Sequence, residues 1–132
     1  MKNENDVKEW MRFADMDVLS ANHLNEIQYP KPLEIICYHC QQAAEKMLKA
    51  LILAYDGDLQ KTHDLVLLTD ELSQFINFSE DVLNSAASLT PYGVKIRYPQ
   101  ELNIEEYHVS KALVDMKIIY DFVANKIKEL PE

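Results

Sequence analysis

The stretch Leu33-Glu34-Ile35-Ile36-Cys37-Tyr38-His39-Cys40-Gln41-Gln42-Ala43-Ala44-Glu45-Lys46-Met47-Leu48-Lys49-Ala50-Leu51-Ile52 decides the fold. It contains no glycine or proline, and Leu33, Ile36, Cys37, Cys40, Ala44, Leu48, Leu51 and Ile52 recur at steps of three and four. That period places them on one face of a helix. Gln41, Glu45 and Lys49 form a separate polar row at four-residue spacing. Upstream, Tyr29-Pro30-Lys31-Pro32 breaks the pattern, and Pro32 suits the first turn of a helix, where a missing N–H costs nothing. The predicted helix runs to about Tyr55, where Asp56-Gly57-Asp58 stops it and Gly57 fits the left-handed cap.

Outward from this helix the chain reads as helical throughout. A first helix is predicted from about Asp6 to Glu26, with Trp10, Phe13, Ala14, Asp17, Ala21 and Leu24 on one stripe. Asp17 is the odd member, a carboxylate either at the stripe's edge or held by a partner. Thr62 is the expected N-cap of a short third helix, about His63 to Gln74. Asn77 with Glu80 reads as a capping-box variant opening a fourth helix that reaches about Leu89. An irregular stretch from Thr90 to Leu102 is punctuated by Pro91, Gly93 and Pro99. Asn103 with Glu106 repeats the capping signal, and the last helix extends to about Leu130. Its face carries Val109, Ala112, Leu113, Met116, Ile119, Tyr120, Val123, Ile127 and Leu130, with Ile118 and Phe122 beside it. That surplus of apolar surface suits either a broad core face or a homodimer face. The expected product is an all-α, up-and-down bundle of four to five helices, one domain over residues 1–132.

Composition narrows the function. Only 2 glycines are present, too few for the tight turns of an all-β fold. The net charge of -9 disfavours nucleic acid and anionic membranes, though a local basic patch remains compatible with it. Cys37 and Cys40 lack a second pair for zinc and a preceding strand for a redox motif, so no metal or cofactor is assigned. Buried free thiols, together with an N-terminus that lacks an apolar run, point to a cytoplasmic protein.

Three segments carry polar residues that bundle packing does not demand: Tyr38 to Ala50, Lys61-Thr62-His63-Asp64-Leu65, and Leu89-Thr90-Pro91-Tyr92 leading to Arg97-Tyr98-Pro99. Plain structural roles exist for each. Glu45 and Lys49 have the spacing of an ordinary ion pair, and His63 beside Asp64 suits local hydrogen bonding. Arg97 could pin its loop through Glu45 or Asp17, while Gln41 and Gln42 could bridge helices or a dimer.

The run Gln-Gln-Ala-Ala-Glu-Lys from Gln41, the Lys-Thr-His-Asp-Leu from Lys61, Leu89-Thr90 with Tyr92, and Arg97-Tyr98-Pro99 resemble the HEPN family. So does the opening pattern of Trp10, Ala14, Asp17 and Ala21, and the match spans about Trp10 to Val123. The resemblance implies a dimeric bundle, often found beside a small nucleotidyltransferase in a two-component, toxin–antitoxin-like module. Some members are metal-independent ribonucleases that use an Arg followed four to six residues later by His. Neither Arg12 nor Arg97 has a histidine at that spacing, so no catalytic residue is assigned. The family name implies nucleotide binding. Lys46, Lys49, Lys61, His63 and Arg97 would supply phosphate contacts at a helix N-terminus, Tyr92 and Tyr98 could stack a base, and Asp17, Gln41, Gln42 and Glu45 would support them. The readings left open are a homodimeric nucleotide-binding partner module, an unorthodox ribonuclease using Arg97 with His63 or His108, and a ligand-free interaction domain.

Overall fold

A computed structural model describes residues 1–93 and 103–131. Among these it shows helices only: α1 (Glu4–Ile27), α2 (Leu33–Ala54), α3 (Leu65–Leu72), α4 (Glu80–Leu89) and α5 (Glu106–Glu129). A 3-10 turn, Thr90–Gly93, follows α4. The expected bundle of three long and two short helices is what forms.

The layout follows from how apolar each helix is. Every residue of α2 from Ala43 to Ile52 is buried except Lys46, which is half-buried. A helix covered on all sides must lie at the centre of the bundle. α1, α3 and α5 all pack on α2, while α1 and α5 barely touch one another. Ala14 and Ala21 on α1, with Ala43, Ala44 and Ala50 on α2, are fully buried small side chains that let helices approach closely. Met47, Leu48, Leu51, Ile52, Leu65, Leu68, Leu72 and Ile119 fill the space between.

Several local expectations are corrected. Phe13 is not a core residue: it is 44% exposed, with the Arg12 guanidinium 4.8 Å above its ring. α3 begins two residues late because Asp64, not Thr62, is its N-cap, accepting from the Val66 and Leu67 amides; Thr62 Oγ1 accepts from Asp64 N instead. Ser79 replaces Asn77 as cap of α4, since Phe78 stacks on Phe122 at 5.0 Å and sets where the chain enters the helix. Glu105 replaces Asn103 at α5, in a capping box whose other half is His108 Nδ1 accepting from Glu105 N. After α2 the left-handed residue is Asp56 (φ 61), and Gly57 has no positive φ. Asp tolerates that region, and the Asn3 amide fixes it by donating to Asp56 Oδ1 and to Leu53 O. Gly57 serves close approach, because a Cβ there would stand 3.0 Å from Ile52 Cγ2.

No described helix is long and apolar enough to cross a membrane. The central place of α2 predicts that Leu51→Ala lowers stability by about 2–5 kcal/mol, as buried leucine truncations do. Urea denaturation measures this, and a loss well under 1 kcal/mol, roughly what an exposed site gives, would contradict the buried placement.

Candidate functional site

The polar row of α2 is not on the surface. Gln41, Glu45 and Lys49 are all buried, as is Asp17 of α1. Two carboxylates organise what surrounds them. Asp17 accepts from Lys46 Nζ at 2.5 Å and bonds His39 Nδ1 at 2.8 Å. Glu45 accepts from Lys49 Nζ at 3.1 Å and bonds His63 Nδ1 at 2.8 Å. Each buried acid therefore holds one lysine and one histidine, which removes most of the penalty of burying its charge. The first cluster ties α1 to α2, and the second ties the segment before α3 to α2.

The second cluster extends further. Gln41 Nε2 donates to the His63 carbonyl at 2.9 Å and lies 3.4 Å from Glu45 Oε1, while Gln42 Nε2 donates to Gln41 Oε1 at 2.7 Å. Gly93 sits directly over the Gln41 amide, where a Cβ would fall 2.6 Å from its Cδ. Thr90 Oγ1 accepts from Leu65 N at 3.2 Å. The chain from His63 to Leu65 is thus held by α2 on one side and by the 3-10 turn on the other. The outermost group is His63, whose side chain is 53% exposed although Glu45 behind it is only 6% exposed.

Of the candidates from sequence, the structure brings Lys49, His63, Gln41, Gln42 and Glu45 together. Lys46 joins the neighbouring Asp17 cluster. Lys46 also borders a hollow of about 340 Å³ lined by Asp6, Glu9, Trp10 and Phe13, and Lys49 Nζ lies 5.8 Å from the Trp10 ring centroid. Lys61 is exposed in a separate hollow shared with Gln60, Thr62, Leu67, Asp70 and Glu71. The α3 N-terminus offers little to an anion, because Asp64 and Thr90 already take the Val66, Leu67 and Leu65 amides. Arg97 and Tyr98 lie outside the described residues.

This frame matches known proteins. A family model of the HEPN domain matches residues 7–128. The chain belongs to the HEPN family. Among solved structures it is similar to TT1696 from Thermus thermophilus, with 26% identity, a TM-score of 0.80, and coverage of 92% of this chain and 98% of that one. It is also similar to ST0689, an archaeal HEPN homologue, at 23% identity and a TM-score of 0.74, covering 92% and 97% of the two chains. No curated protein matches it.

One polar group of this HEPN chain escaped sequence reasoning. Asp115 on α5 is 1% exposed, accepts from Ser85 Oγ at 3.0 Å, and pairs with Lys111 Nζ. Its Oδ2 has no hydrogen-bond partner among the described residues. The signal was available, since Asp115 falls three residues after Ala112 and four before Ile119, inside the core stripe. Around it the interior suppresses ionisation. Burial, then Glu34, pushes the Cys37 thiol up to about 12. Burial raises Cys40 further, with Cys37 and Asp115 adding to it. Burial also pushes the Tyr92 phenol up to about 12, helped by Cys37 and Asp115.

Two outcomes follow. Folded protein at pH 8 should leave both thiols unmodified by iodoacetamide and release them in denaturant, because the thiolate is the reactive form; labelling at equal rates in both states would refute this. Gly93→Ala should cost about 1–3 kcal/mol by displacing the Gln41 amide from His63 O, the cost of a buried polar group left without its partner. Chemical denaturation measures it, and an unchanged midpoint would show that Gln41 relaxes freely.

Proposed function

We propose that the chain works as a homodimeric HEPN module that partners a small nucleotidyltransferase and meets a nucleotide at the exposed edge of the Glu45 cluster. The observation that carries the nucleotide half is the setting of His63. Its Nδ1 is held by Glu45, and half of its side chain is open to solvent. Lys61 is exposed on the same segment, two residues before His63. Lys46 and Lys49 take a charge-balancing part in this reading. With side chains 24% and 10% exposed and bonded to Asp17 and Glu45, they neutralise those acids and leave phosphate contact to the outer groups. Parts for Arg97 and Tyr98 rest on the resemblance alone.

The assembly half draws support from the seam where α1 and α5 barely meet. A groove of about 460 Å³ opens there over Val18, Leu113, Val114, Met116 and Tyr120. Within it Val114 is 55% exposed. Apolar side chains lining a groove suit a protein interface. Phe122, by contrast, spends its surface on Phe78 inside the chain. The nucleotidyltransferase partner comes from the family resemblance, and the ribonuclease reading has no Arg–His motif to carry it.

Calorimetric titration with ATP tests the site. Binding near the micromolar range should vanish in His63→Ala and persist in Lys46→Ala; the reverse pattern overturns the placement, and no heat in wild type overturns nucleotide binding itself. Light scattering should give a mass double that of one chain, and a monomer refutes the assembly half.

A further inference from the structure

We propose that His63 is a phosphoryl acceptor whose Nε2 takes a phosphoryl group from a phosphoramidate- or nucleotide-type donor. The geometry separates this histidine from the other three. Glu45, balanced by Lys49, accepts from the imidazole, so Nδ1 carries the ring proton and the lone pair of neutral His63 lies on Nε2, pointing away from the acid. His39 has the same kind of partner in Asp17, but its side chain is only 26% exposed and packs edge-on against Tyr38 at 6.0 Å. His108 spends its Nδ1 on the Glu105 amide, which puts the proton on Nε2 and removes that lone pair. His23 is exposed on α1, with no carboxylate of the described residues bonded to it. Only His63 joins a carboxylate-held Nδ1 to a side chain half open to solvent.

The cost of the arrangement points the same way. A contact to a half-exposed charged group contributes only about 0–1 kcal/mol to stability. Yet the His63 segment is held by Glu45 at its ring, by Gln41 at its carbonyl and by Thr90 at the amide of Leu65. A fixed imidazole with a carboxylate behind it is what nucleophilic attack requires.

In the step itself the Nε2 lone pair forms a new N–P bond as the donor's bond from phosphorus to its leaving group breaks. From phosphoramidate the leaving group departs as ammonia; from a nucleoside triphosphate it departs as the diphosphate. The positive charge that develops on the ring is shared through Nδ1–H with Glu45 until the proton is released to solvent. Lys61 is the nearest exposed cation along the chain. Only the natural donor rests on the nucleotide site proposed above; the acceptor does not.

The test treats the intact folded protein with phosphoramidate and follows each histidine by mass spectrometry under alkaline conditions. Phosphoramidate has no base or ribose, so the acceptor can succeed where ATP binding fails, and the reverse. His63 should load at least about ten-fold faster than His23, the factor expected from one charge-assisted hydrogen bond to its ring. Glu45→Gln should bring His63 down to the rate of His23. Should that variant not fold, urea serves in its place, since unfolded wild type must lose the preference. His23 loading as fast as His63 in the folded protein overturns the proposal, as does a preference that survives unfolding.

Discussion

Two carboxylates inside the bundle set the terms for the rest of it. Asp17 and Glu45 are buried as charges, and a buried charge without partners costs several kcal/mol, roughly half of a small domain's net stability. Partners must therefore come to them. Asp17 draws His39 and Lys46 to the α1–α2 seam, and Glu45 draws Lys49 and His63. Since His63 lies in the segment before α3, satisfying Glu45 also decides where that segment runs. Gln41 and Gly93 then bring the 3-10 turn after α4 against the same place. The polar row of α2 thus positions two other parts of the chain, while His39 and Lys46 on the same helix tie α1 to it.

Much of this was legible before any coordinates. The apolar period of α2 and α5 implied the bundle, because burial on one face is the main force acting on such helices. The polar row was legible as a set, and Asp17 stood out as a carboxylate on an apolar stripe. The histidine partners of Asp17 and Glu45 were not legible, since His39 and His63 are separated from their acids by 22 and 18 residues and only packing brings them together. Lys49, four residues after Glu45, was legible as its ion-pair partner, whereas Lys46 meets Asp17 only across 29 residues of chain. Helix caps failed more locally: Thr62, Asn77 and Asn103 are good capping residues, but Asp64, Ser79 and Glu105 take those places.

Division of labour between buried and exposed groups is the most informative property of the site. The lysines supply charge balance from within, so the net charge of -9 says little about the potential beside His63. The exposed ring acts in a setting already neutralised from behind. Family membership explains the frame, and the solved relatives repeat it at low identity, as expected when core period rather than particular side chains dictates a fold.

The central position of α2 has a further consequence during synthesis. One side of this helix is covered by α1, its immediate neighbour in the chain, but another waits for α5, which begins only at Glu106. At translation speeds of about 5–20 residues per second, α2 emerges with that side bare for roughly several seconds. Over that interval the nascent chain shows water the same leucines and isoleucines that later form its core. A ribosome-bound fragment ending after α4 is therefore a sticky, half-walled object, and the last helix to appear is the one that closes it.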